Sequence, residues 1–258
     1  MCPSRKEKMS MSNNGFSRHV SGEALLKANH ILAEKCDCPL TGHHLISFNL
    51  FDKLSTQRIE QMRNKEYSWN SLDNIGILPS SDKSTAKKVA CKYRLPWHSS
   101  GHTGRNTVSK LNLKSDEQVY SNAEPTSMLN GGNPMKRASM LNKDKNKIKA
   151  YPSKAYHKFV KQELLETLEK LHCEMPPTLY RKELNDLSER ICDMISEFTI
   201  LLHNTGDDFS PKGNGCRSSD CQQRTHKNTT WPEIEEIWSG LFYKKSLKFN
   251  YLKVASKL

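Results

Sequence analysis

The alternation of hydrophobic and polar positions is clearest after Tyr151, where it has the period of an α-helix. Apolar residues recur there at steps of four, four, three and four, and they are Val160, Leu164, Leu168, Leu171 and Met175. Side chains at this spacing lie on one face of a helix. The pattern predicts an amphipathic helix between Ala155 and Glu174, which the Pro176-Pro177 pair should end because proline cannot donate a backbone hydrogen bond.

A second apolar stripe begins directly after the two prolines. Its members alternate steps of four and three, and they are Tyr180, Leu184, Leu187, Ile191, Met194, Phe198 and Leu201. This is the a and d pattern of a heptad repeat, and Thr178 is a suitable N-cap for the helix that carries it. Two helices joined by so short a link are expected to pack as an antiparallel hairpin.

The last part of the chain opens with Thr230-Trp231-Pro232-Glu233, which fits the capping box that starts a helix. The pattern predicts a third amphipathic helix, connected to the hairpin by a polar loop at 203–229. Its apolar face carries the candidate partner-binding residues Trp238, Leu241 and Phe242. We favour packing of this helix on the hairpin. The alternatives are a groove on another protein and an anionic membrane or calmodulin-like receptor.

Helical patterns are weaker before residue 80. Ser21 is a candidate cap for a short helix from Gly22 to Lys35, and a second pattern extends from about Asn49 to Lys65. Helices of this length are marginal in water on their own. The apolar runs at 45–50 and 74–78 are too short to predict a sheet. We therefore expect residues 1–79 to be a weakly ordered segment with two short helices.

Composition separates the middle of the chain from its end. Residues 80–150 contain nine Leu, Ile, Val or Phe in 71 positions, too few to offset the entropy lost on ordering the backbone. Residues 1–150 hold 24 Lys/Arg and 13 Asp/Glu, so nearly all of the net charge of +12 lies there. The expected fold is a mostly disordered basic amino-terminal part, with a disordered linker at 80–150, and a small all-α carboxy-terminal domain at 151–258.

The chain has no apolar run approaching the roughly 18 residues of a membrane span, and its first residues lack the apolar core of a secretory signal. We therefore expect no membrane span and no secretion. The nucleus is the expected location, with the cytoplasm or the cytoskeleton as alternatives. In such a setting the eight cysteines would be reduced thiols.

Two clusters of cysteine and histidine raise the question of a zinc site. One lies at 36–44, and the other combines Cys216, Cys221 and His226 with His203 upstream. Neither has the spacing of a common zinc motif, so we expect no metal and no cofactor. The chain also lacks a phosphate-binding glycine loop, a nucleophile elbow and a dinucleotide fingerprint. The sequence therefore predicts a protein that is not an enzyme.

Basic residues alternate with aromatic residues at two places in the first 150 positions. The first place contains Arg63, Lys65, Tyr67 and Trp69. The second contains the candidate nucleic-acid-binding residues Lys87, Lys88, Lys92, Tyr93, Arg94 and Trp97. Lysine and arginine neutralise phosphates while aromatic rings stack on unpaired bases, so single-stranded nucleic acid is a candidate partner. Acidic protein surfaces such as tubulin tails attract the same charge.

Two serines lie in contexts that protein kinases recognise, which predicts a phosphoprotein. Ser139 follows Lys136-Arg137 in a segment expected to be extended, as a basophilic kinase requires. Ser210 precedes Pro211, as a proline-directed kinase requires. Phosphorylation would subtract about two charges from the surrounding basic segment.

These observations favour a nonenzymatic regulatory or adaptor protein that binds a protein partner through its carboxy-terminal helices. Two alternatives stay open. The basic arm could make the protein a nucleic-acid-associated nuclear factor, or it could bind microtubules or another part of the cytoskeleton.

Overall fold

The computed structural model describes residues 30–80, 84–98, 134–149, 155–203 and 205–210, together with Lys27, Gly213 and Gly215. Helices and strands follow one another in the order α1 (Ile31–Cys36), β1 (Leu40–His44), α2 (Phe48–Asp52), α3 (Thr56–Asn64), β2 (Ile75–Pro79), α4 (Ser84–Lys92), α5 (Pro134–Lys149), α6 (Ala155–Lys170) and α7 (Pro177–Ser196). Short 3₁₀ turns lie at Leu72–Asn74 and Gly206–Phe209. The described part is helix-rich, but it also contains a two-stranded sheet at 40–44 and 75–79, where we expected only short helices. The all-α expectation concerned residues 151–258, whose described residues contain helices and no strand.

Helices α6 and α7 form the antiparallel pair that the apolar periodicity predicts. Glu163 pairs with Arg190 at 3.6 Å, and Lys170, nearer the connecting turn, pairs with Glu183 at 3.8 Å. Because the partner numbers fall as the numbers along α6 rise, the two helices run in opposite directions. The predicted stripes face inward, with no exposure at Val160, Leu164, Leu168, Leu171, Tyr180, Leu184, Leu187 and Ile191.

The ends of α7 differ from the prediction. The N-cap is Pro176 and the helix begins at Pro177, so Thr178 lies in the first turn instead of capping it. Proline suits this position because the first helical amide needs no partner within the helix. The helix ends at Ser196, since Phe198 has a φ of 56°, in the left-handed region where a helix cannot continue.

The helix expected from about Asn49 to Lys65 is divided in two. Helix α2 ends at Asp52 and α3 begins at Thr56, with Ser55 as its N-cap, whose hydroxyl accepts a hydrogen bond from the Arg58 amide at 3.3 Å. The cap ends one helix pattern and starts the next. The predicted Gly22–Lys35 helix is interrupted at His30, whose extended backbone makes it the N-cap of α1, while Lys27 before it is also helical. The cap expected at Ser21 lies outside the described residues.

Strands β1 and β2 pair in antiparallel register, with Leu40 opposite Pro79 and His44 opposite Ile75. A two-stranded sheet is only marginally stable on its own. Here the sheet is stabilised by packing, since every residue of β2 is buried. The Asn74 side chain holds the strand ends together. It accepts a hydrogen bond from the Ile46 amide at 2.8 Å and donates to the carbonyls of Ile46 and Trp69.

One continuous cluster of buried apolar side chains joins the elements before residue 98 to the helical hairpin. Phe51 of α2 stacks on Trp69 with ring centroids 5.9 Å apart. Tyr156 of α6 donates a hydrogen bond to the Leu45 carbonyl at 2.7 Å. The hairpin therefore shares its core with residues that precede 151, although we expected it to form a separate domain.

Helices α4 and α5 both lie inside the 80–150 segment that we expected to be a disordered linker. The expectation was based on the number of Leu, Ile, Val and Phe, but α4 buries Ala86, Ala90 and Cys91 in addition to Val89. Helix α5 buries Leu141 and Ile148 together with polar groups that have partners in the core. A count restricted to large aliphatic residues and phenylalanine missed the buried small residues of α4 and the buried polar residues of α5.

One of the described cysteines differs from the prediction of reduced thiols. Cys173, in the turn between α6 and α7, is disulfide-bonded. Cys36, Cys38, Cys91 and Cys192 are not disulfide-bonded. The disulfide partner of Cys173 is therefore none of these four cysteines.

Candidate functional site

The outer side of α5 carries a row of lysines. Lys136, Lys143 and Lys147 are all exposed and recur at steps of seven and four, so they lie on one side of the helix. We call these three residues the basic stripe. Helix α5 contains six basic residues and one acid, and that acid, Asp144, is fully buried. The outward face of the helix is therefore strongly positive.

The opposite side of α5 is anchored by an ion pair. Arg58 and Asp144 are both fully buried, and the Arg58 Nε donates to Asp144 Oδ2 at 2.9 Å. Asp144 Oδ1 accepts two further hydrogen bonds, from the Ser55 hydroxyl at 2.7 Å and the Ser55 amide at 2.9 Å. A buried carboxylate needs such partners because desolvation of an unpaired charge is costly. Asp144 thus fixes α5 against the start of α3.

The remaining donors of Arg58 connect this anchor to the hairpin. They reach the carbonyls of Leu171 at 3.0 Å and Leu168 at 3.3 Å, at the carboxyl end of α6, where a positive charge is favoured. Arg58 also donates to Gln61 Oε1 at 2.6 Å, which accepts a second hydrogen bond from the Tyr180 hydroxyl at 2.9 Å. One guanidinium therefore links α3, α5, α6 and α7.

Burial dominates the electrostatics of Tyr180 in this network. It raises the pKa of Tyr180 to about 12, although the neighbouring Arg58 charge acts in the opposite direction. The hydroxyl is therefore protonated at neutral pH and serves as the donor to Gln61.

A cleft of about 430 Å³ lies between the basic stripe and the start of α3, lined by Ser55, Thr56, Gln57, Lys143, Asn146 and Lys147. Lys143 Nζ donates to Gln57 Oε1 at 3.0 Å, and Lys147 Nζ donates to the Leu54 carbonyl at 3.2 Å. Both acceptors are uncharged. Within the described residues neither lysine has an ionic partner, so the cleft presents two uncompensated positive charges.

The aromatic rings among the predicted nucleic-acid-binding residues of α4 and the loop after it are already in contact with other side chains. Trp97 is buried, with ring centroids 4.6 Å from His203 and 5.4 Å from Phe209. Lys87 lies over the Trp97 ring and Lys92 over the Tyr93 ring. Lys88 is exposed, and Arg94 is half-buried with a φ of 57°. Trp97 has no free face for a base in this arrangement.

The aromatic rings of the earlier basic and aromatic group, at 63–69, are likewise in contact with other side chains. Tyr67 and Trp69 are buried against Phe51, and Lys65 donates to the Met175 carbonyl at 2.7 Å. Arg63 alone of this group is exposed. The aromatic rings that alternate with basic residues here serve the core.

The two predicted phosphorylation sites have different surroundings. Ser139 is exposed, but it lies within α5 and not in an extended segment, and Arg137 is buried. Ser210 is half-buried, and its hydroxyl donates to the Asp207 carbonyl at 2.7 Å. Phosphorylation at Ser139 and Ser210 stays a prediction.

The cysteines and histidines at 36–44 do not converge on one site. His43 Nε2 lies 2.8 Å from the Tyr156 hydroxyl, whose hydrogen goes to Leu45, so the imidazole is the donor. Burial and the neighbouring Cys36 and Asp37 raise the pKa of Cys38 to about 12, which disfavours the thiolate that binds metals. Among the described residues, no three Cys, His, Asp or Glu are placed to hold a metal ion.

Other predicted sites lie outside the described residues. They are the Cys216, Cys221 and His226 cluster and the partner-binding residues Trp238, Leu241 and Phe242. His203 is described and packs on Trp97, where burial and the nearby Lys87 charge lower its pKa. None of the helices in the described ranges is long and apolar enough to cross a membrane.

Sequence reasoning missed the anchor of α5. We expected residues 80–150 to be a disordered linker, although buried Arg137, Leu141, Asp144 and Ile148 recur at helical steps of four, three and four. That periodicity was the available signal, but two of its four members are charged.

Comparison of the chain with protein-family models, curated proteins and solved structures found no match.

Proposed function

We propose that this protein is a nonenzymatic adaptor that binds an acidic segment of a partner protein along the basic stripe and its cleft. The observation that carries the proposal is the pair of exposed lysines Lys143 and Lys147, which have no ionic partner among the described residues. The helix that carries them is fixed from behind by the Arg58–Asp144 ion pair. Lysines held in place lose less entropy when a carboxylate binds.

An acidic protein segment is favoured over nucleic acid because of the aromatic residues. Single-stranded nucleic acid is bound through stacking platforms in addition to charge. Tyr67, Trp69 and Trp97 are all buried. The basic stripe offers positive charge, and the cleft beside it offers the side-chain amides of Gln57 and Asn146, which can bind carboxylates and backbone groups.

The apolar stripes of the hairpin are poor candidates for the partner surface, since they complete the protein's own core. A contact through Trp238, Leu241 and Phe242 stays a prediction, as does location in the nucleus, the cytoplasm or the cytoskeleton. Fractionation of cells that express a tagged full chain would test the location.

The experiment that tests the proposal measures binding of the full chain to a labelled poly-glutamate peptide by fluorescence anisotropy. The Lys143→Glu/Lys147→Glu variant should bind about tenfold more weakly at low salt, because two attractive charges become repulsive. The matched control is Arg63→Glu/Lys88→Glu, which makes the same charge change at two exposed residues elsewhere. Thermal melts of both variants would show that each is folded.

Equal losses in the two variants would overturn the proposal, because they would mean that only net charge matters. A labelled single-stranded oligonucleotide should bind more weakly than poly-glutamate. If it binds more tightly, and a Lys87→Glu/Lys88→Glu variant abolishes that binding, the nucleic-acid alternative replaces the proposed function.

A further inference from the structure

We propose that Ser139 is a phosphorylation site whose phosphate switches off binding at the basic stripe. The inference rests on the proposed function, since it concerns the regulation of the same surface. Ser139 is an exposed residue of α5. It lies three residues after Lys136 and four before Lys143.

The position of Ser139 gives a phosphate direct access to the stripe. Residues three or four apart on a helix are neighbours on its surface. A phosphoserine carries about −1.5 to −2 charges at neutral pH, so it would pair with Lys136 and Lys143 and cancel most of the positive charge of the stripe. An acidic segment would then meet phosphate oxygens where it now meets lysines.

Kinase access requires that the start of α5 unwinds, because Arg137 is buried and Ser139 is helical. The anchor of the helix permits this. The buried residues Leu141, Asp144, Lys145 and Ile148 all lie beyond Ser139, whereas Arg137 is the one buried side chain among the described side chains at 135–140. Unwinding up to residue 140 thus releases Arg137 and Ser139 while the Arg58–Asp144 ion pair stays intact.

The modification itself is a phosphoryl transfer from ATP, supplied by a basophilic protein kinase. A bond forms between Ser139 Oγ and the terminal phosphorus of ATP, and the bond from that phosphorus to the bridging oxygen breaks. The hydroxyl proton passes to the base of the kinase, and ADP leaves.

The test treats the folded full chain with a purified basophilic kinase and ATP, locates the phosphate by mass spectrometry, and measures poly-glutamate binding by anisotropy. Phosphate is expected on Ser139, and the phosphorylated chain should bind about threefold to thirtyfold more weakly. Ser139→Ala should bind like the unmodified chain and should keep its affinity after kinase treatment. Ser68→Asp, which adds a negative charge at another exposed serine, should change the affinity less than Ser139→Asp does.

Two results would overturn the inference while the proposed function stands. The first is phosphate on Ser139 that leaves the affinity unchanged although Lys143→Glu/Lys147→Glu lowers it. The second is phosphate on Ser139 in the denatured chain but not in the folded one. If the unmodified chain does not bind poly-glutamate at low salt, the proposed function fails and the regulation of that binding fails with it. Mass spectrometry still decides whether Ser139 is modified.

Discussion

Arg58 and Asp144 are 86 residues apart in the chain, yet they form a fully buried ion pair with a distance of 2.9 Å from Nε to Oδ2. The pair joins two segments whose sequences give no sign of meeting. It also determines which side of α5 faces outward, because the carboxylate must lie inside to reach its partners. The exposure of the basic stripe is a consequence of this buried contact.

Asp144→Asn should lower the free energy of unfolding by about 3–5 kcal/mol, because it leaves the Arg58 charge buried without a counterion. Urea denaturation of the full chain measures the change. The matched control is Asp186→Asn, which removes an exposed carboxylate paired with Lys182 one helical turn away and should leave the stability nearly unchanged. A similar effect of both variants would contradict the structural role given to the buried pair.

Stability should decrease at alkaline pH because burial raises the pKa of Tyr180 from 10.0 and that of Cys38 from 9.0, in both cases to about 12. The unfolded chain loses these protons at the ordinary pKa values, whereas the folded chain keeps them. Stability is therefore complete below about pH 9 and falls as the pH rises toward 12.

Urea denaturation at several alkaline pH values measures this decrease, and Tyr180→Phe should make it shallower. Tyr93→Phe is the control, since Tyr93 is only half-buried, and it should change the slope less. Stability that stays constant from pH 9 to pH 12 would contradict the burial of these groups.

Thiol labelling should distinguish Cys173 from the other described cysteines. When the chain is denatured without a reducing agent, an alkylating reagent should modify Cys36, Cys38, Cys91 and Cys192, which are not disulfide-bonded. Cys173 should react only after reduction, because it is disulfide-bonded. Peptide mass spectrometry gives the answer, and labelling of Cys173 before reduction would restore the prediction of reduced thiols.

The elements that the sequence predicted best are those whose causes are local. Val160, Leu164 and Leu168 define the buried face of α6 within three turns, and the two prolines mark where α7 begins. The lysines of the basic stripe could also be recognised as a charge cluster. The sequence did not show that these lysines form one exposed face of a helix, because a basic run in a disordered linker and a basic run on an anchored helix have the same composition.

Local sequence by itself determined the two helices of the hairpin and their antiparallel pairing, because helical periodicity and proline breaks act within a few residues. Only the tertiary structure decided that β1 pairs with β2, that Ala86 and Ala90 make α4 a core helix, and that α5 is ordered at all. Each of these depends on partners distant in sequence. Their free energy comes from burial and from charge pairing across the chain, such as that of Arg58 with Asp144, which no local pattern encodes.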